Sequence, residues 1–154
     1  MSRSILFVCL GNICRSPAAE AIFKKLLEKS PLKGEVLVES CGIGEWHIGS
    51  PPHERVRQAA LSRGFVLSGR ARQLQREDLE KFELILAADR AVLEELYKLA
   101  DHADLKRKIS LLTEFSPAYR SADVPDPYFG SDALLEESLD IIEDACRGLL
   151  DHLS

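Results

Sequence analysis

Two residues near the amino terminus, Cys9 and Arg15, have side chains suited to nucleophilic chemistry on an anionic substrate. A thiolate is a strong nucleophile. A guanidinium binds two phosphate oxygens with its planar fork, which a lysine cannot do. Of the four cysteines, only Cys9 is followed six positions later by an arginine. The alternative is that Cys9 is a small buried hydrophobic residue at the end of a strand, as free cysteines often are.

The residues around this pair predict an anion-binding loop. Residues 4–9 are apolar and rich in strand formers, and Ser16 followed by Pro17 is typical of a helix start with Ser16 as the N-cap. A strand, a short loop and a helix N-terminus together leave peptide N–H groups free to bind a phosphate-sized anion. We expect Gly11 and Asn12 to take a left-handed backbone. The Ser16 hydroxyl is placed to donate to the Cys9 sulfur and favour the thiolate.

The rest of the chain alternates strand and helix patterns. We predict helices over 17–29, 53–63, 76–81, 91–100 and 132–153, and further strands over 35–40, 82–88 and 109–112. Asp89 is expected to cap the helix over 91–100, and Glu20 to face solvent. The Ser, Pro and Asp content of residues 113–131 predicts a long loop without regular structure, and such loops are usually functional.

This alternation predicts an α/β sandwich with a parallel sheet and helices on both faces, in one domain over residues 1–154. Ligands of such sheets bind beyond the carboxyl ends of the strands. Three predicted loops follow strand ends: the loop of Cys9, the loop of Trp46 and the loop of Asp126. The topology therefore brings these three residues toward one site.

Composition excludes several classes of function. The formal net charge of −5 argues against a nucleic-acid binder or a protein of anionic membrane surfaces. No stretch approaches the roughly 20 apolar residues of a membrane span, and no export signal precedes the first strand, so we expect a cytoplasmic protein with reduced thiols. The four histidines lack the spacing of metal ligands, and we expect no metal.

The segment Cys9-Leu10-Gly11-Asn12-Ile13-Cys14-Arg15-Ser16-Pro17, followed by Ala19-Glu20-Ala21, resembles the signature loop of the low-molecular-weight protein tyrosine phosphatases. The segment Asp126-Pro127-Tyr128-Phe129-Gly130 is similar to the general-acid motif of that family, and Trp46 stands where relatives carry an aromatic residue of the cleft wall. The resemblance spans nearly the whole chain. It implies a flavodoxin-like three-layer sandwich whose four-stranded parallel sheet has the order 2-1-3-4, with no metal and no cofactor.

The resemblance also implies a reaction, the hydrolysis of phosphotyrosine in proteins through a cysteinyl-phosphate. Cys9 is then the nucleophile, Arg15 the phosphate clamp, and Asp126 the general acid and later the base. The implied substrate-binding residues are Leu10, Gly11, Asn12, Ile13, Cys14 and Ser16 in the loop and Trp46, Tyr128 and Phe129 in the pocket wall, with Ser40 supporting Asn12. The three aromatic residues are equally compatible with packing. Cys14 either fills space or captures an oxidised Cys9 as a disulfide.

The implied partner is a tyrosine-phosphorylated protein, for which a bacterial tyrosine kinase is a candidate, and phosphate-like oxyanions are the implied inhibitors. The chain departs from the family where many relatives carry a histidine just before an Ala-Arg-Gln stretch. Here that stretch is Ser68-Gly69-Arg70-Ala71-Arg72-Gln73, which leaves the residue that supports Asn12 through Ser40 unassigned.

Two other functions remain as alternatives to a phosphatase. An arsenate reductase on the same scaffold needs further redox cysteines after the third strand, and the chain has none between Cys41 and Cys146. A non-catalytic phosphate or phosphotyrosine binder would have no use for both Cys9 and Asp126.

Overall fold

The computed structural model describes residues 3–154, which form a parallel sheet between two layers of helices. The elements in chain order are β1 (Arg3–Cys9), α1 (Arg15–Glu28), β2 (Val36–Gly42), α2 (Glu54–Ser62), α3 (Asp78–Lys81), β3 (Leu84–Ala87), α4 (Arg90–Leu99), α5 (Ala103–Lys106), β4 (Ile109–Leu111), a 3₁₀ helix (Leu112–Phe115) and α6 (Asp132–Leu153). Strand and helix alternate as the sequence predicts.

The four strands pair in the order β2-β1-β3-β4, and every pair is parallel. β1 lies inside the sheet, with Ile5 opposite Val38 on one side and Leu84 on the other. This arrangement confirms the predicted flavodoxin-like sandwich. It also places the carboxyl end of β1, where Cys9 lies, between the ends of two neighbouring strands.

The core has two halves because alternate side chains of β1 point to opposite faces of the sheet. Ile5 and Phe7 pack with residues of α1 and α6, while Leu6 and Val8 pack with residues of α3 and α4. All four side chains are at most 1% exposed. A strand covered on both faces must be apolar throughout, as this one is.

The start of α1 differs from the prediction. The helix begins at Arg15, and its N-cap is Cys14 without a side-chain hydrogen bond. Ser16 therefore lies inside the first turn and is not the N-cap, because its hydroxyl bonds the Cys9 sulfur instead. The prediction for Asp89 is confirmed, since its carboxylate accepts from the Val92 N–H at the start of α4.

Residues 113–131 contain more regular structure than predicted. The 3₁₀ helix covers residues 112–115, and the Thr113 hydroxyl donates to the Ala122 carbonyl, which folds the segment back on itself. The short helix α5 also lies outside the predicted elements. β2 extends to Gly42, two residues beyond the prediction, because Gly42 still pairs with Cys9.

Within residues 3–154, no helix combines the length and the apolar content needed to cross a bilayer.

Candidate active site

In the loop of residues 9–15, here the Cys9 loop, three carbonyls are bound from outside and the Asn12 N–H points inward to the Cys9 sulfur. Three backbone N–H groups from residues 43–53 donate to these carbonyls: Ile43 to Cys9 at 3.0 Å, Gly44 to Leu10 at 2.9 Å and His53 to Ile13 at 2.8 Å. On the inner side, the Asn12 N–H lies 3.2 Å from the Cys9 sulfur. Inward N–H groups at a helix start are a binding site for an anion.

Asn12 holds the loop in shape. It takes a left-handed backbone with φ of 58°, a conformation that asparagine tolerates better than most residues. Its side-chain amide donates to Ser16 at 2.8 Å and to Ser40 at 3.0 Å, and its oxygen accepts from the Arg72 N–H at 2.9 Å. Such a fully bonded, buried amide fixes the strained residue against its surroundings.

Gly11 is required for a different reason from the one predicted, since its backbone is not left-handed. A Cβ on Gly11 would lie 2.8 Å from Cδ2 of His47, so only glycine lets this ring approach. At the end of β2, a Cβ on Gly42 would meet the backbone of Gly11 and Asn12 at 2.8 and 2.9 Å. Two glycines therefore let the loop lie directly against its neighbours.

The Cys9 thiol lies at the base of the loop, where the residue is 2% exposed. Its sulfur is 2.9 Å from the Ser16 hydroxyl oxygen and 3.2 Å from the Asn12 nitrogen. A hydroxyl and a peptide N–H both donate hydrogen bonds to a thiolate. These contacts stabilise the charged form of the nucleophile.

Arg15 presents one edge of its guanidinium to the pocket and fixes the other edge to the protein. Nη1 donates to Oδ2 of Asp89 at 2.7 Å and to the Val124 carbonyl at 2.9 Å. Burial on its own lowers the pKa of Arg15, but the charges of Cys9, Asp89 and Asp126 outweigh it, and the pKa lies above the ordinary value. The guanidinium is therefore a permanent cation, held in place for bidentate binding.

Asp126 lies across the pocket from Cys9 in an exposed turn. Its Oδ2 is 3.6 Å from Nη2 of Arg15, and its Oδ1 accepts from the Tyr128 N–H at 3.1 Å. The side chain is 43% exposed. A carboxyl group in this position can exchange protons both with a bound ligand and with water.

These residues surround a pocket of about 410 Å³. Its lining consists of Cys9, Leu10, Gly11, Ile13, Cys14, Arg15, Trp46, His47, Asp126, Tyr128 and Phe129. Ten of these eleven residues belong to the predicted site. The predicted residues Asn12, Ser16 and Ser40 lie behind the loop, where they bond one another and Cys9.

Aromatic rings form the outer wall of the pocket. Tyr128 packs between His47 and His53, with centroid distances of 5.8 and 5.3 Å, and its ring lies edge-on to Phe129 at 4.4 Å. Trp46 is 69% exposed and Phe129 92% exposed. Rings this exposed at a pocket mouth provide an apolar surface for a ligand.

Cys14, the second cysteine of the loop, is buried beside Cys9. Burial, together with the charges of Cys9 and Asp126, raises the pKa of the Cys14 thiol to about 12. Cys14 is therefore a neutral thiol at physiological pH. Both cysteines are free in this structure.

Three residues of the site were not identified from the sequence as part of it. Asp89 was predicted only as a helix cap, but its second oxygen holds Arg15. His47 follows Trp46 directly, and its place in the wall depends on the fold of residues 43–53. Glu20, predicted to face solvent, accepts a hydrogen bond from Ser40 at 2.5 Å.

The arrangement joins a stabilised thiolate, a cationic clamp and an exposed carboxyl around one pocket. This combination suits a nucleophilic displacement at an oxyanion in which a proton is delivered to the leaving group. Among residues 3–154, no group of three or more His, Cys, Asp or Glu side chains is arranged to hold a metal ion.

Known proteins resemble this chain in sequence and in structure over nearly its whole length. The Bacillus subtilis low molecular weight protein-tyrosine-phosphatase YfkJ is 42% identical over 148 residues, which cover 96% of this chain and 93% of that protein. A protein tyrosine phosphatase structure from Entamoeba histolytica superposes with a TM-score of 0.94 at 36% identity, covering 99% of this chain and 97% of the other. The structure of DARP, a Drosophila arginine phosphatase, superposes with a TM-score of 0.88 at 30% identity and 97% coverage of both chains. Since residues 4–154 also match the family described as low molecular weight phosphotyrosine protein phosphatase, the chain belongs to that family.

Proposed function

We propose that this protein hydrolyses phosphotyrosine in proteins, with residues 1–154 acting as one phosphatase domain. One observation carries the proposal: the Cys9 sulfur lies inside a loop of inward N–H groups, with Arg15 and Asp126 at the same pocket. This arrangement supports a reaction in which Cys9 is the nucleophile, Arg15 the phosphate clamp and Asp126 the proton donor for one phosphoryl group.

In the first step, the Cys9 thiolate attacks phosphorus in line with the bond to the tyrosyl oxygen. The S–P bond forms as the P–O bond breaks, and Asp126 transfers its proton to the departing phenolate oxygen. The free edge of Arg15 and the loop N–H groups bind the equatorial oxygens. Because these donors are fixed before the substrate arrives, they stabilise the transition state without reorganisation.

In the second step, water attacks the cysteinyl-phosphate. Asp126, now a carboxylate, takes a proton from that water as the S–P bond breaks. The products are inorganic phosphate and the Cys9 thiolate. The exposure of Asp126 suits this exchange of roles, since water reaches the carboxylate after the phenol leaves.

The wall of the pocket supports an aryl phosphate as substrate. Trp46, Tyr128 and Phe129 surround the entrance, and a phosphotyrosine ring is long enough to pass between them and bring its phosphate to the Cys9 loop. A phosphoserine offers no ring for these side chains to contact. Phosphoarginine is a necessary comparison because one structural relative is an arginine phosphatase.

We further propose a cellular setting for this reaction. The substrate is a tyrosine-phosphorylated protein, such as a bacterial tyrosine kinase, and phosphate-like oxyanions inhibit by occupying the Cys9 loop. The free thiols suit the reducing cytoplasm, where Cys9 remains available as a free thiol.

The test is hydrolysis of aryl phosphate, phosphoserine and phosphoarginine substrates in the presence of a metal chelator. We expect turnover of the aryl phosphate alone, inhibition by vanadate, and a loss of at least about 10⁴-fold in Cys9→Ser with phosphate binding retained. Full activity in Cys9→Ser would exclude the covalent mechanism. Vanadate binding without turnover by the natural sequence would instead identify a binding module, and arsenate-dependent oxidation of thiols would identify a reductase.

A further inference from the structure

Glu20 lies on α1, behind the Cys9 loop and outside the pocket. Its side chain is 25% exposed, and its two oxygens have different partners. Oε2 is 2.5 Å from Nζ of Lys24, an exposed pair on the helix surface, whereas Oε1 accepts from the Ser40 hydroxyl at 2.5 Å. The second contact directs the carboxylate inward, toward the support of the loop.

We propose that Glu20 is a positioning residue for Cys9 that acts through Ser40, Asn12 and Ser16. The inference rests on the proposed function, and it adds a residue that sets the reactivity of the nucleophile without touching the substrate. It follows from the direction of each hydrogen bond in a chain from Glu20 to the Cys9 sulfur.

The first bonds of this chain have only one possible direction. An ionised carboxylate accepts hydrogen bonds and cannot donate, so the Ser40 hydroxyl donates its proton to Glu20. The Ser40 oxygen is then an acceptor, and it receives a hydrogen from Nδ2 of Asn12 at 3.0 Å. The orientation of the Asn12 amide is fixed independently, because its oxygen accepts from the Arg72 N–H.

The remaining bonds follow from the same argument. The second Nδ2 hydrogen of Asn12 goes to the Ser16 oxygen at 2.8 Å, which makes Ser16 an acceptor from Asn12. The Ser16 proton therefore points away from Asn12. The Ser16 oxygen lies 2.9 Å from the Cys9 sulfur and 3.3 Å from the Cys41 carbonyl, and the shorter contact is to the sulfur. The Glu20 carboxylate thus fixes the Ser40 hydroxyl as an acceptor for Asn12, at the far end of a chain that ends in an O–H donated to the Cys9 sulfur.

The surroundings of Glu20 explain why this carboxylate contacts Ser40 directly. A cavity of about 280 Å³ adjoins Asn12, Glu20 and Ser40 and is also lined by Gly69. No side chain extends from Gly69 to Ser40, and Glu20 occupies the role of acceptor for the Ser40 hydroxyl.

The experiment measures the rate of Cys9 alkylation by iodoacetamide as a function of pH, together with kcat and KM for phenyl phosphate. We expect Glu20→Ala to lower alkylation at pH 6 by about tenfold, because the Cys9 sulfur loses an ordered donor. Glu20→Gln keeps the shape of the side chain and removes its charge, so we expect a loss of about threefold. Both variants should lower kcat more than they raise KM.

Glu28→Ala is the matched control, since it makes the same change on an exposed glutamate of the same helix. It should leave both measurements unchanged. The other ionisable groups around Cys9, namely Arg15, Cys14, Cys41 and Asp126, are untouched in every variant, so a changed alkylation rate reports on the hydrogen-bond chain.

A double-mutant cycle tests whether Glu20 acts on Cys9 through Ser40. Removing Glu20 should have no further effect once Ser40→Ala has broken the chain, because residues acting in series are not additive. Equal alkylation profiles for Glu20→Gln, Glu28→Ala and the natural sequence would overturn the proposal, as would additive effects of Glu20→Ala and Ser40→Ala. Alkylation requires no turnover, so an enzyme inactive on every phosphate would refute the proposed function and leave this measurement to decide the role of Glu20.

Discussion

The Cys9 loop and the segment of residues 124–130, here the Asp126 segment, face each other across one pocket but are held in different ways. The carbonyls of the Cys9 loop are tied down by three backbone N–H groups, and its Asn12 amide has partners for both hydrogens and the oxygen. The Asp126 segment is fixed mainly near its ends. There the Val124 N–H donates to Ala88, and the Gly130 carbonyl accepts from Arg55.

This difference in how the two regions are held matches their two proposed tasks, which are to bind an anion and to transfer protons. An anion site gains most when its donors are fixed in advance, because no energy is then spent on orienting them during the reaction. A general acid must release a proton, recover one from water and let a phenol leave. The buried loop and the exposed carboxyl suit these different demands.

Arg15→Lys should impair both regions at once and therefore lower activity the most, because Arg15 belongs to both. Its Nη1 donates to the Val124 carbonyl and its Nη2 lies 3.6 Å from Asp126, both in the Asp126 segment, while Arg15 itself ends the Cys9 loop and lines the pocket. We expect kcat/KM for an aryl phosphate to fall by about 10³-fold, since lysine lacks the planar fork. Isothermal titration should also show weaker phosphate binding. Arg90→Lys, an exposed arginine beside Asp123, is the control, and equal losses in the two variants would contradict this role.

Asp126→Asn should separate the two regions. The proton donor is lost while the Cys9 loop is intact, so we expect kcat for phenyl phosphate to fall by about 10²- to 10³-fold. The loss for p-nitrophenyl phosphate should be smaller, because nitrophenolate leaves without full protonation. Steady-state kinetics over a series of aryl phosphates measures this dependence. Equal losses across the series would show that Asp126 does not protonate the leaving group.

Arg55→Met should loosen the Asp126 segment without touching the nucleophile. Arg55 on α2 donates to the Gly130 carbonyl at 2.9 Å and lies 3.2 Å from Asp132. We expect kcat for phenyl phosphate to fall by about tenfold through misplacement of the acid.

The control for this prediction is Arg57→Met, since Arg57 is on the same helix and its guanidinium pairs with Glu54. The rate of Cys9 alkylation should be unchanged in both variants. A slower alkylation in Arg55→Met would mean that the two regions are not independent.

The smallest effect concerns stability at high pH. Because the pKa of Cys14 is raised from 9.0 to about 12, the folded protein keeps a proton that the unfolded chain releases between these values. Stability should therefore fall as pH rises above 9, by up to about 1.4 kcal/mol per pH unit from this thiol. Urea unfolding at pH 8, 9 and 10 measures the slope, which should be shallower in Cys14→Ala. The buried thiols of Cys41 and Cys146, whose pKa values are also raised, contribute in the same sense in both proteins.

The sequence predicted well what depends on local pattern. The bounds of α6, the cap at Asp89 and the parallel sheet follow from hydrophobic periodicity, capping residues and strand–helix alternation. The loop between β1 and α1 was also predicted, because Cys9, Arg15 and Pro17 lie within nine residues of one another.

What the sequence did not reveal depends on contacts between distant segments. Ser16 has the residue type of an N-cap, and only the position of the Cys9 sulfur decides that its hydroxyl turns elsewhere. Gly11 suggested a left-handed turn, but its backbone is not left-handed. A glycine is required there because the His47 ring, 36 positions later in the sequence, lies against it. Glu20 fits the solvent face of a helix, and its inward contact depends on where β2 places Ser40.

Trp46 is the only tryptophan of the chain, and it stands 69% exposed at the entrance of the pocket. The emission wavelength and intensity of indole fluorescence change when the water around the ring is replaced by protein or ligand atoms. Any ligand that enters between Trp46 and Phe129 must replace that water. The protein therefore carries its own optical probe, through which substrate arrival can be followed in a stopped-flow instrument without a label.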